Sequence, residues 1–283
     1  MSTDNTPEAS VTVNIVIRGP QPLPPPMACQ RWSPTATPPP HTYPQKRIDD
    51  HMAGGRQYLF FLQNMNFKAA LFDLDGTLFD TEGQYSIFWS RIGRKYRPDI
   101  PTLAEDIKGT TLVQIFSRYF PDPEVQSEIT KGLDEWERNM SYDFIPGALE
   151  FLHDIRRNGV RCAVVTSSNR QKMKAVAAKM PEFHSLFDRI LTSEDFAASK
   201  PAPDCYLRGA EALGCDKDSC VVFEDAFTGL AAGMSAGIFT IGLATYNPRE
   251  AIQDKCDYVI DNFTSLTYGM VDDMLLDNPH NVD

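Results

Sequence analysis

No apolar stretch in this 283-residue chain approaches the roughly 20 residues needed to cross a bilayer, and the run Tyr58-Leu-Phe-Phe-Leu62 is far too short. The N-terminus has no basic segment followed by an apolar core, so no secretory signal is read there. Six cysteines, at 29, 162, 205, 215, 220 and 256, include no Cys-x-x-Cys pair, which argues against a zinc site or a disulfide framework. Cys162 and Cys220 fall inside apolar, strand-like runs, as small core residues of a reducing compartment do, and the expected setting is cytoplasmic. Positive charge is also scarce, with 27 Lys and Arg against 38 Asp and Glu and a formal net charge of -11. Sequence-independent nucleic-acid binding relies on cations that neutralise phosphates, so no nucleic-acid partner is expected. Small phosphorylated ligands need only local positive charge and stay open.

What is present is enough for a core, since 42% of residues are hydrophobic. Composition breaks near residue 65. Upstream lie Pro-Leu-Pro-Pro-Pro (Pro22 to Pro26) and Thr-Pro-Pro-Pro (Thr37 to Pro40), with little periodic apolar pattern. Residues 1–64 therefore read as a disordered, proline-rich tail. Such a tail can dock in an aromatic groove, but the plainer expectation is that translation starts at Met65 and the upstream stretch is a start-site artefact. After residue 65, strands at Lys68–Phe72, Arg161–Thr166, Arg189–Thr192, Cys220–Glu224, Phe239–Gly242 and Tyr258–Ile260 alternate with amphipathic helical stretches. This predicts an α/β fold, a Rossmann-like parallel sheet with helices on both faces. Residues 81–144 differ: Ile87, Phe88, Ile92, Ile107, Leu112, Ile115, Phe116, Leu133 and Trp136 recur at helical spacing with no strand among them. They read as an inserted all-helical cap, leaving 65–80 and 145–268 as the core and 269–283 as a C-terminal tail.

Four elements fall at strand ends. The first strand runs into Phe72-Asp-Leu-Asp-Gly-Thr77, where the two-residue period of a strand sends Asp73 and Asp75 the same way. Neighbouring carboxylates repel and are tolerated where they share a cation or a proton. Next comes Val164-Val-Thr-Ser-Ser-Asn169, whose Thr166 and helix-start amides can donate to a phosphate oxygen; helix capping by Ser168 or Asn169 is the plain alternative. Ser199-Lys-Pro-Ala-Pro-Asp204 frames Lys200 with prolines, so that it can present a fixed positive charge to a transferring phosphoryl group. Finally, Val221-Val-Phe-Glu-Asp225 ends a buried strand in Glu224 and Asp225, hard oxygen ligands suited to Mg²⁺. Each element alone has a bland reading, but all four in this order point to one phosphate and metal site. No Gly-x-Gly-x-x-Gly turn follows the first strand, which removes a dinucleotide-binding Rossmann domain.

These residues resemble the haloacid dehalogenase superfamily. Ser199-Lys-Pro-Ala-Pro-Asp204 and Phe223-Glu-Asp-Ala-Phe-Thr-Gly-Leu-Ala-Ala-Gly233 are similar to its β-phosphoglucomutase-like branch, which carries a helical cap after the first strand. The resemblance spans residue 67 to about 265. It implies that Asp73 is the nucleophile, forming an aspartyl-phosphate, and that Asp75 is the acid and base. It also implies that Asp73, the backbone carbonyl of Asp75 and Asp225 hold Mg²⁺, with Glu224 close by, and that Thr166, Ser167 and Lys200 hold the phosphate.

Hydrolase and mutase share this core. In the mutases a cap arginine just after a Lys-Gly turn grips a second phosphate. The turn here is Lys108-Gly-Thr-Thr111 and the arginine position holds Leu112. The mutase histidine a few residues after the Asp-Thr pair is also missing, because Asp80-Thr81 leads into Glu82, Gly83, Gln84 and Tyr85. The expected activity is thus a phosphatase of a small phosphorylated metabolite, with the mutase as runner-up. A response-regulator receiver has its acidic pair before the acceptor strand and no helical insertion, which is the wrong order. Substrate choice is expected in the cap, at Thr81, Gln84, Tyr85, Lys108, Gly109 and Thr110, with Trp89 read as core. A monomer or weak dimer with no membrane partner is expected.

Overall fold

Short apolar runs, too short for helices and free of internal proline, pair into one sheet. The computed structural model describes residues 66–276, so the proline-rich tail and the proposed start at Met65 lie outside the described residues. The strands β1 (Ala69–Phe72), β2 (Arg161–Val165), β3 (Arg189–Leu191), β4 (Cys220–Glu224), β5 (Phe239–Leu243) and β6 (Tyr258–Ile260) form a parallel sheet in the order β3-β2-β1-β4-β5-β6. β1, β4 and β5 are buried along their whole length, as parallel strands covered on both faces must be.

The two-residue period sorts side chains onto the faces. Ala70, Phe72, Cys162, Val164, Val221 and Phe223 join one core with α5 (Ala148–Arg157) and α6 (Arg170–Lys179). Ala69, Leu71, Ala163, Val165, Cys220 and Val222 join the other, with α7 (Asp204–Leu213) and α8 (Phe227–Ala236). Phe72 pairs with Val164 on one side and Phe223 on the other, so the carboxyl ends of β1, β2 and β4 finish level. The strand order reverses direction here, and the crevice beyond such a point is where open α/β sheets bind ligands.

The segment after β1 folds into α1 (Glu82–Tyr96), α2 (Leu103–Asp106), α3 (Leu112–Tyr119) and α4 (Pro123–Asn139). Thr111 and Gln114 form a capping box at the start of α3, and Asp122 with Pro123 starts α4. The cap has its own core of Phe88, Trp89, Leu103, Ile107, Ile115, Phe120, Ile129 and Leu133. Ile87, expected on the apolar stripe, is exposed instead. A short α9 (Arg249–Ile252) precedes β6.

One boundary is corrected. Residues 269–283 were expected as a tail, yet Tyr268–Leu276 is a helix, α10, that buries Tyr268, Val271 and Leu275 against the sheet core. Its Asp272 accepts hydrogen bonds from the amides of Asn66 and Phe67, which ties the helix to the chain just before β1. The apolar positions 268, 271 and 275 already carry the helical period. No described helix is long and apolar enough to cross a membrane.

Candidate active site

At the level carboxyl ends, β1 delivers Asp73 and β4 delivers Glu224 and Asp225. These three buried carboxylates each offer an oxygen within 4.8 Å of the others. Lys200, 1% exposed, donates to Asp73 Oδ1 at 2.6 Å and Glu224 Oε1 at 2.7 Å. Tyr206 and the Ala226 amide also donate to Glu224, at 3.2 and 2.8 Å, so both of its oxygens are held by the protein. Thr77 donates to Asp225 Oδ1 at 2.9 Å. The Lys200–Pro201 peptide is cis.

Close packing at this point requires glycine twice. A Cβ on Gly229 would lie 1.6 Å from Glu224 Oε1, and one on Gly76, which also has φ of 80°, would lie 2.2 Å from Asp225 Oδ2.

Charge is the main feature of the cluster. Burial, together with repulsion from Glu224, outweighs the pull of Lys200 and pushes Asp73 up to about 7. Burial and the neighbouring acids hold Asp225 well above the usual carboxylate range. Burial works against the charge on Lys200, but Asp73 and Glu224 overcome it and hold the ammonium well above its usual range. Fully ionised, three carboxylates and one ammonium would carry a formal charge of minus two, which the raised Asp73 and Asp225 resist in the absence of a further cation. The donor set is all oxygen apart from Lys200, and it fits a divalent hard cation.

The side chains of Asp73 and Asp75 meet different lysines, Lys200 and Lys172, contrary to the strand-period reading that sends them the same way. The strand stops at Phe72, and the Leu74 carbonyl then accepts from the Leu78 and Phe79 amides, so the chain turns and the two-residue period lapses. Asp75 instead pairs with Lys172 of α6 and accepts from Thr81 at 2.6 Å and Ser168 at 3.1 Å. Its side chain is not one of the clustered three, and only its backbone carbonyl remains for a metal.

Thr166 Oγ1 accepts from the Ser168 amide at 3.0 Å, which leaves its hydrogen to donate. Asn169, not Ser168, caps α6. The Ser167 hydroxyl donates to the Gly109 carbonyl at 3.0 Å, so for a phosphate its amide is left rather than its hydroxyl.

A cavity of about 320 Å³ opens above the cluster, between core and cap. Of the cap residues singled out in the sequence, Tyr85, Lys108, Gly109 and Thr110 line it. Thr81 and Gln84 do not: Thr81 holds Asp75, and Gln84 makes a two-way amide pair with the backbone of Ser141. Lys108 pairs with Glu105 and lies 3.2 Å from the centre of the Tyr246 ring. Trp89, read as core, is buried in the cap and also touches the cavity.

Sequence reading missed Lys172, Glu82 and Glu137. Glu82 and Glu137 line the cavity, and burial pushes them up to about 8 and about 7. Glu137 had a readable signal: it follows Ile129 and Leu133 at four-residue steps, which places a carboxylate on an otherwise apolar stripe.

A parallel sheet with this strand-end cluster and an inserted helical cap defines a haloacid dehalogenase-type hydrolase. The family model described as "Haloacid dehalogenase-like hydrolase" matches residues 70–243, more than half of the chain, and the chain belongs to this family. It is 27% identical over 222 residues to validoxylamine A 7'-phosphate phosphatase of Streptomyces hygroscopicus subsp. limoneus, covering 71% of this chain and 97% of that protein. It is 31% identical over 220 residues to a β-phosphoglucomutase of Mycobacterium bovis, covering 66% and 84%. Among solved structures, a family IA, variant 3 hydrolase of Entamoeba histolytica superposes with a TM-score of 0.64 at 22% identity, covering 74% of this chain and all of that one, a likeness of fold.

Proposed function

We propose that this hydrolase is a Mg²⁺-dependent phosphatase that removes the phosphate from a small metabolite such as a sugar phosphate, through an aspartyl-phosphate at Asp73. The observation that carries the reading is Lys200 bridging Asp73 and Glu224, with Asp225 beside them, while Asp73 itself lines a metabolite-sized cavity.

Asp73, Asp225 and the Asp75 carbonyl would hold Mg²⁺. When bound, the ion offsets repulsion between an anionic nucleophile and an anionic phosphate and polarises the phosphoryl oxygens. Glu224 is already occupied by Lys200, Tyr206 and the Ala226 amide, so its part is to fix Lys200. Lys200, Thr166 and the Ser167 amide receive the phosphoryl oxygens. Asp73 attacks phosphorus in line while Asp75 gives its proton to the leaving oxygen; Asp75 then takes a proton from the water that attacks the aspartyl-phosphate.

The cap side of the cavity favours hydrolase over mutase. Among the described lining residues it presents Glu82, Glu137 and Leu112, while its one cation, Lys108, is engaged by Glu105 and Tyr246. A second phosphate finds no bidentate clamp there. The setting we assign is cytoplasmic, and the substrate a small phosphorylated metabolite handled without a macromolecular partner. Purified protein should release inorganic phosphate from members of a panel of sugar, polyol and nucleoside monophosphates, in the presence of Mg²⁺ and not in EDTA. Equal release in EDTA, or none from any member, would overturn the proposal.

A further inference from the structure

Lys172 is fully buried, an unusual place for a lysine without a structural or chemical task. It stands in the first turn of α6, where Asn169 accepts a hydrogen bond from its amide at 2.9 Å. Its ammonium contacts both carboxylate oxygens of Asp75. Each of those oxygens has one further donor: the Thr81 hydroxyl on Oδ1, from the segment entering the cap, and the Ser168 hydroxyl on Oδ2, from the loop after β2. From the cap side, the Tyr85 ring of α1 covers the ammonium, with its centre 4.6 Å from Nζ, and the Tyr85 hydroxyl donates to Glu137 of α4 at 2.9 Å. The side chain of Asp75 is thus gripped from three directions, with Lys172 the one contact that spans both oxygens.

We infer that Lys172 is a positioning residue for Asp75, holding its carboxyl group at a fixed place and orientation for proton transfer, with Tyr85 and Glu137 closing the cradle from the cap. The inference rests on the reading of Asp75 as acid and base given above. Physically, a short carboxyl side chain on a turn has several rotamers, and general acid catalysis needs the proton within hydrogen-bond reach of one oxygen. A buried ammonium that meets both oxygens removes that freedom. The nucleophile does not depend on it, because Asp73 is held by a different lysine, Lys200.

That separation supplies a test that a merely structural role would not pass. 2,4-Dinitrophenyl phosphate has a leaving group that departs without protonation, whereas phenyl phosphate needs a proton for the same step. kcat/KM for both is measured with the full chain in Mg²⁺. K172M should lower kcat/KM for phenyl phosphate by about 100-fold and for dinitrophenyl phosphate by less than about fivefold, in line with the usual worth of a general acid. K172R keeps the charge but spreads it over a broader fork, so it should give an intermediate ratio, and it carries the test if K172M fails to fold. Equal losses on the two esters, or no loss on phenyl phosphate, would overturn the inference. D75N in the same pair separates the two layers. If D75N discriminates between the esters and the Lys172 variants do not, only the positioning role fails; if D75N does not discriminate, the acid role of Asp75 fails first.

Discussion

Replacing Glu137 with glutamine should make the protein more stable at pH 8 and leave its stability at pH 5 much closer to that of the wild type. Glu137 is 5% exposed. Burial raises its carboxyl group from 4.5 to about 7, with the nearby Lys172 and the Tyr85 hydrogen bond pulling the other way and losing. The folded chain therefore keeps a proton that the unfolded chain releases between those two values. Stability is lost as pH rises through that window and levels off above it. The gap, at about 1.4 kcal/mol per pH unit, sets the loss at no more than about 3.5 kcal/mol. Glutamine has the same shape, can still accept from the Tyr85 hydroxyl, and has no charge to desolvate. Urea unfolding of wild type and E137Q without metal, at pH 5 and pH 8, reads the effect as the difference between two differences. A gain for E137Q that is the same at both pH values, or larger at pH 5, would refute the reasoning.

Four further outcomes are expected. D225N should raise the Mg²⁺ concentration for half-maximal activity by roughly 100-fold, with unfolding little changed in EDTA; an unchanged metal titration would remove Asp225 as a ligand. G229A forces Glu224 out of contact with Lys200, because the new Cβ would meet Glu224 Oε1 at 1.6 Å, and should cost about 1–3 kcal/mol with most of the activity. G83A, on α1 with nothing within 4 Å of its Cβ, is the control and should be neutral or stabilising by up to about 1 kcal/mol in the same thermal melts. β-Glucose 1-phosphate supplied with its bisphosphate should be hydrolysed or ignored rather than converted to glucose 6-phosphate in a coupled dehydrogenase assay, and rapid conversion would reinstate the mutase.

The core was legible because its signals are local. β4 and β6 match their expected bounds, and the other strands differ only at their ends. The strand-end residues Asp73, Glu224 and Asp225 gather because parallel register carries them to one edge. Lys200 reaches that edge from a loop whose prolines marked it in the sequence.

The cap was less legible. Whether Gln84 faces a ligand or its own backbone depends on how the cap returns at Ser141, a contact 57 residues away. The partnership of Asp75 with Lys172 spans 97 residues. The helix Arg170–Lys179 carries three other basic residues, Arg170, Lys174 and Lys179, and nothing in their spacing singles out the buried one. The exposed Ile87 and the helix at Tyr268–Leu276 show the same limit: apolar spacing identifies a helix but not which neighbour will cover it.

The central claim is that Asp73 carries the phosphoryl group during turnover. The most direct measurement is a single turnover with Mg²⁺ and a hydrolysed ester, quenched in acid, reduced with borohydride and mapped by peptide mass spectrometry. The account predicts conversion of Asp73 alone to homoserine, absent in D73N and in unreacted enzyme. Reduction at another carboxylate, or catalytic turnover by D73N near the wild-type rate, would contradict it.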